Sequence, residues 1–208
     1  MKQKTRQLWD KQNQHPGDRQ RLFQAVGGVF QIESVFYPGS YVDLAPSFVF
    51  PAVTYVDLDK RAAAFFADTE GLNELIDEHA SSNHPREFVF IHQDYQQPLA
   101  LDTEAFDLLI SLYAGFVSEY CSQHLRIGGV LLVNPSHGDA ALASIDPRFE
   151  LCGVVLHRSG AYRVSTDALD SYFEPKKPIT ITRSAVLQLG RGIGYTRSAF
   201  AYLFRRVS

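Results

Sequence analysis

Acids, tyrosines, a serine and a histidine recur in this chain directly after short apolar runs. Asp57 follows "AVTYV", Asp94 and Tyr95 follow "FVFIHQ", Ser111 and Tyr113 come at and just past the end of "FDLLI", and His137 follows "VLLVNPS". A further run, "VFYPGSY", carries Tyr37, Pro38, Gly39, Ser40 and Tyr41 and has a single glycine. Each residue type implies its own chemistry. A carboxylate offers only acceptors, so Asp57 suits a ligand that donates hydrogen bonds. Gly39 lets a backbone approach a ligand closely and adopt positive φ. Tyr95 and Tyr113 present faces to a planar ring, and His137 stands where it could take a proton from an acceptor hydroxyl.

These groups need a scaffold that brings strand ends together. The runs "SVFY", "AVTYVDLD", "REFVFIHQDY", "FDLLISLYAG" and "RIGGVLLVNPS" read as strands, with "KRAAAFFADTEGLNELIDEHA" and "FVSEYCSQHL" as helices between them. "APSFVF" reads as the start of another helix, since proline is tolerated in a first turn. Strands alternating with helices argue for a parallel sheet covered on both faces. The continuous apolar runs "VFIHQ", "LLISL" and "VLLV" carry the same message, because burial on both faces removes the usual alternation. The last third differs: "FELCGVVLHRSGAYRVS" reads as two strands about a tight turn, "ITRSAVLQLGRG" as a helix with a glycine stop, and "SAFAYLFRRV" as a final strand. In open α/β sheets, ligands lie outside the carboxyl ends of the strands, where the polar residues above stand.

The expected architecture is therefore α/β and Rossmann-like. It has a mostly parallel seven-stranded sheet with helices on both faces, an antiparallel C-terminal strand, and a short N-terminal helical extension over residues 1–30. Residues 31–208 form one domain in this reading, large enough to bury about 70% of its unfolded surface. The opening "MKQKTRQLWDKQNQH" is charged without an apolar centre, unlike a secretory signal, and no run spans a bilayer. Two cysteines, Cys121 and Cys152, have neither metal-ligand spacing nor the density of a disulfide scaffold. A cytoplasmic protein without a metal is expected. The net charge of −3 conceals an asymmetry, since the segment from Pro175 onward has seven Lys or Arg and no acid. Those basic residues are spread out rather than interleaved with aromatics, so nucleic acid is not the expected partner.

The order and spacing of these features resemble the class I S-adenosylmethionine-dependent methyltransferase family across about residues 33 to 160. Gly39 stands in the first loop and Asp57 follows 18 residues later. "FDLLISLYAGFVSEYCSQHLRIGGVLLV" is similar to the family's fourth strand, helix and fifth strand, with "LRIGG" for the usual Leu-Lys-Pro-Gly-Gly turn. The resemblance implies S-adenosylmethionine as cofactor. Its ribose would rest on Asp57, its adenine near Asp94 and Tyr95, and its methionine end against Tyr37 to Tyr41 and Ser111, with Tyr113 nearby. It also implies transfer to a small-molecule acceptor.

The first loop departs from the family's acid-x-Gly-x-Gly-x-Gly, holding Tyr37, Gly39, Tyr41 and Asp43 in those places. Tyr41 must turn its ring away from the pocket or fill it. Asp43 disfavours a phosphate, which argues against a dinucleotide. No general base declares itself beyond His137. The competing reading is a methyltransferase-like domain that binds a ligand or partner without catalysis. "NPSH" at Asn134 follows the wrong strand for an amino-group methyltransferase motif. "GRGIG" at Gly190 reads as a helix stop, or as a lid bringing Arg191 or Arg197 to an anionic substrate.

Overall fold

The computed structural model describes residues 1–80 and 85–208. Its strands are β1 (Ser34–Pro38), β2 (Ala52–Asp57), β3 (Glu87–His92), β4 (Phe106–Ser111), β5 (Leu125–Val133), β6 (Phe149–Arg158), β7 (Ala161–Ser165) and β8 (Ala201–Arg206). They form one sheet in the order β3-β2-β1-β4-β5-β8-β6-β7. The five strands from β3 to β5 are parallel, and β8, β6 and β7 run antiparallel to their neighbours. Among the described residues the sheet thus has eight strands rather than seven, and its antiparallel part comprises three C-terminal strands rather than one. Both arms of the "HRSGAY" hairpin join it, because Ser159 (φ 51°) and Gly160 (φ 77°) make the doubly left-handed turn that suits a tight hairpin.

Strand order reverses between β1 and β4, so the crevice past their carboxyl ends is the switch point of the sheet. One face is covered by α1 (Gln3–Gln12), α2 (Asp18–Gly27), α3 (Lys60–Phe66) and α4 (Thr69–His79). Trp9, Phe23, Phe48, Tyr55 and Phe66 fill the layer beneath them. The other face is covered by α5 (Val117–Cys121), α6 (Asp139–Ile145) and the C-terminal segment, over Phe36, Leu109, Leu131, Tyr172 and Tyr202. The last helix, α7 (Arg183–Leu189), packs Val186 against α6.

Three departures from the sequence pattern shape the site. The segment after β1 forms only a 3-10 turn, Ala45–Phe48, because Pro51 follows closely and disfavours helix in the residue before it. The expected helix over residues 60–80 breaks at Asp68, whose carboxylate accepts the Lys2 N–H at 2.7 Å and ties down the start of the chain. The β3 strand is at the sheet edge and is not buried on both faces: Val89 is 56% exposed. Residues 93–105, between β3 and β4, contain no helix to cover it.

Candidate functional site

Gly39 leaves β1 in the left-handed region (φ 64°), and its N–H donates to the Val56 carbonyl at 2.7 Å. Tyr41 is also left-handed (φ 48°), a conformation that costs a side-chain-bearing residue about 1–2 kcal/mol. Asp57 holds it there. One Asp57 oxygen accepts the Tyr41 N–H and the other the Asp59 N–H, both at 2.7 Å. The loop keeps the backbone shape that glycines would allow, with a carboxylate enforcing it. Each Asp57 oxygen retains a second lone pair for a ligand. The Tyr41 ring lies beside the Arg61 guanidinium, 5.3 Å away, and does not line the cleft described next.

That cleft, about 430 Å³, opens between the tail of β2 and the turn after β3. Asp57, Leu58 and Asp59 line one side and Gln93 to Gln96 the other, with Gly39 and Ala114 completing it. Three carboxylates face it, and no Lys or Arg among the described residues lines it. Asp59 caps α3 through the Arg61 N–H at 2.7 Å. Its side-chain bond to Arg61 holds its carboxyl down to about 2. Asp94 accepts the Gln96 N–H at 2.9 Å in a tight turn. Tyr95 is half-buried, and burial pushes its hydroxyl up to about 12, so it remains a proton donor at neutral pH.

The remaining residues singled out in the sequence turn elsewhere. Tyr37 pairs in register with Tyr55 and packs against Phe23 beneath α2. Its hydroxyl donates to buried Asp43 at 3.1 Å, and Arg19 of α2 stands 3.6 Å from the same carboxylate. Burial raises the Asp43 carboxyl above its usual range, and Arg19 opposes this. Ser40 is buried beside Gly39, and its hydroxyl has no partner among the described residues. Pro38 ends β1 without lining the cleft. Tyr113 (φ 60°) is 53% exposed, with Arg19 beside its ring. His137 shares a hydrogen bond with Ser136 (2.9 Å) and does not reach the cleft. Gly190 (φ 61°) ends α7, and the Gly192 N–H donates to the Ser136 carbonyl, so "GRGIG" rests on the loop after β5 rather than over the cleft.

Ser111 leads to a residue that sequence reasoning missed. Its hydroxyl donates to Asp139, which also accepts the backbone N–H and hydroxyl of Ser118. Asp139 is fully buried, and burial raises its carboxyl to about 6 despite those bonds. In sequence it reads as an ordinary acid in the first turn of α6, behind the left-handed Gly138. In the fold it ties the end of β4 to the start of α5 and anchors both ends of the loop between them. Among the described residues, no group of three or more His, Cys, Asp or Glu is arranged to hold a metal ion.

No family model and no curated protein matches this chain. Solved structures do. A ribosomal protein L11 methylase from Lactobacillus delbrueckii subsp. bulgaricus superposes with a TM-score of 0.51 at 11% identity, over 91% of this chain and 77% of its own. A protein assigned as an O-methyltransferase, from Klebsiella pneumoniae, superposes with a TM-score of 0.50 at 10% identity, over 79% of this chain and 88% of its own. At these identities the likeness is one of fold: the chain has the class I methyltransferase-like, Rossmann-like architecture.

Proposed function

We propose that this chain is an S-adenosylmethionine-dependent methyltransferase acting on a small-molecule acceptor, and that the cleft past β2 and β3 takes the adenosyl portion of the cofactor. The observation that carries the reading is Asp57. It ends β2, lines an open cleft, and keeps acceptor capacity after fixing the loop behind it. The ribose hydroxyls would bond to it, and the adenine would lie beside Asp94 and Tyr95. The donor set suits the group: Asp57 and Asp94, with Asp59 already paired to Arg61, favour a ligand without phosphate and with a positive sulfonium. When bound, the sulfonium supplies an electrophilic methyl group. The chain's own part is to hold and orient, which can provide much of the rate.

Several basic residues of the C-terminal segment are engaged within the molecule, which supports a small acceptor over nucleic acid. Arg183 pairs with Glu119, Arg206 with Glu104, Arg205 bonds the Gly128 carbonyl, and Arg197 bonds Ser171. Two unpaired cysteines fit a reducing, cytoplasmic setting. Among the described residues, no helix is long and apolar enough to cross a membrane.

Titration calorimetry with S-adenosylmethionine and S-adenosylhomocysteine tests the reading. Dissociation constants of about 10–100 μM, weakened about tenfold or more in Asp57→Ala, are expected. No heat with either compound at millimolar concentration contradicts it. A second reading, a nucleoside-binding domain without methyl transfer, is favoured by the contact of Ala114 with Gly39. Binding of adenosine without binding of S-adenosylhomocysteine would select it.

A further inference from the structure

The cleft past β2 and β3 meets the crevice between β1 and β4 at Gly39, and there the chain is closed. A Cβ on Gly39 would stand 2.5 Å from the Ala114 Cβ and 3.7 Å from Tyr95 Cε1. Nothing larger than a backbone fits between β1 and the loop after β4 at this point. The loop is held in place from three directions. The Tyr95 hydroxyl donates to the Ala114 carbonyl, and a Cβ on Gly115 would come within 2.8 Å of that hydroxyl. Ser111 before the loop and Ser118 after it both bond Asp139. Within it, Tyr113 (φ 60°) and Gly115 (φ 93°) are left-handed. A non-glycine residue keeps such a conformation only where its surroundings impose it, a feature common in segments that switch.

A ligand whose sugar rests on Asp57 therefore has room for a nucleoside, but no path for a tail running from the sugar toward Ser111. The walls add a second restriction. Asp59 is paired with Arg61, but Asp57 and Asp94 also line the cleft and no Lys or Arg among the described residues does, so a phosphate on the sugar would face like charge.

We infer that Tyr95 and Ala114 determine which nucleosides the cleft accepts. Those with a small uncharged 5′ substituent enter directly, those with an amino-acid tail must displace residues 112–116, and 5′-phosphates are turned away. This rests on the adenosyl reading of the cleft and is independent of methyl transfer. Tyr95 acts as a latch, and the loop it holds is the gate to the β1–β4 crevice.

Calorimetry with four probes tests this: adenosine, 5′-methylthioadenosine, S-adenosylhomocysteine and adenosine 5′-monophosphate. In the unmodified protein the first two should bind at least about tenfold more tightly than the third, with the phosphate weakest of all. Tyr95→Phe removes the hydroxyl that holds Ala114 and keeps the ring. It should raise the affinity for S-adenosylhomocysteine relative to that for adenosine about tenfold. Ala114→Gly, which removes the methyl over Gly39, should move the ratio the same way and serves if Tyr95→Phe does not fold. A damaged cleft would weaken both ligands in step, and that result overturns the inference. Equal affinity of the unmodified protein for adenosine and S-adenosylhomocysteine also overturns it. If neither binds, the adenosyl reading itself falls and the inference with it. If both bind but the ratio does not move in the variants, the inference alone falls.

Discussion

Past the ends of β2 and β3 the chain leaves about 430 Å³ of cleft lined by carboxylates, whereas past β1 and β4 it packs Gly39, Ala114 and Tyr95 into contact. Both regions lie at the carboxyl edge of one sheet, and both carry polar residues. They differ in what those residues bond. In the closed half, Tyr37 is committed to Asp43, and Ser111 to Asp139. In the open half, Asp57 and Asp94 each bond nearby backbone N–H groups yet still line the cleft. A polar residue at a strand end is thus a binding group only where the fold leaves it lone pairs and space. On the proposed adenosyl reading, the chain keeps one half of the site available and uses the other half to hold itself together.

The most disruptive way to break this contrast is Gly39→Ala. The residue needs φ near +64°, and the new methyl would enter the Ala114 Cβ at 2.5 Å. Backbone strain and overpacking together should lower stability by about 4 kcal/mol, read by urea denaturation. Adding Ala114→Gly should restore the packing part and leave about 1 kcal/mol of strain. A single substitution that costs less than about 1 kcal/mol would mean that the closed half is loosely packed.

Next in size is a pH effect carried by Asp139. Its carboxyl is raised from 3.8 to about 6 by burial, so between these values the folded chain holds a proton that the unfolded chain has lost. Its contribution is present in full below about pH 4 and lost as pH rises through about 6, by up to about 3 kcal/mol. Asp139→Asn should flatten that part of the stability profile. An unchanged profile would show that burial does not raise the Asp139 carboxyl, its hydrogen bonds offsetting the lost solvation.

Smaller effects should mark the open half. Asp59→Ala removes the cap of α3 and should cost about 1 kcal/mol, seen as a modest fall in Tm. Tyr41→Gly should change adenosine affinity by less than about twofold, because the ring lies beside Arg61 and outside the cleft. A tenfold change would place that ring in the ligand's path after all.

The parallel half of the fold was legible because "LLISL" and "VLLV" are continuous apolar runs, which fully buried strands require. "VFIHQ" has the same character, yet it forms an edge strand with Val89 exposed, since the pattern cannot reveal that the next connection lacks a helix. Both arms of the hairpin were legible as strands; what the count of seven missed is that β7, five residues long and alternating in burial, joins the same sheet. The strand-end positions of Asp57 and Asp94 were legible from the apolar runs before them, and each bonds backbone close by. Tyr37 was misplaced by its neighbours, since the run "VFYPGSY" does not show which face its ring takes. Register with Tyr55 sends it under α2. Asp139 could not be found, because its partners Ser111 and Ser118 lie 28 and 21 residues away in sequence.

One measurement bears most directly on the claim that the open half is a nucleoside site: a crystal structure of the protein with adenosine bound. The account predicts the ribose hydroxyls within hydrogen-bonding distance of Asp57, the base between Asp94 and Tyr95, and residues 112–116 unmoved. Adenosine seated elsewhere on the molecule, or a cleft that stays empty at saturating adenosine, would contradict it.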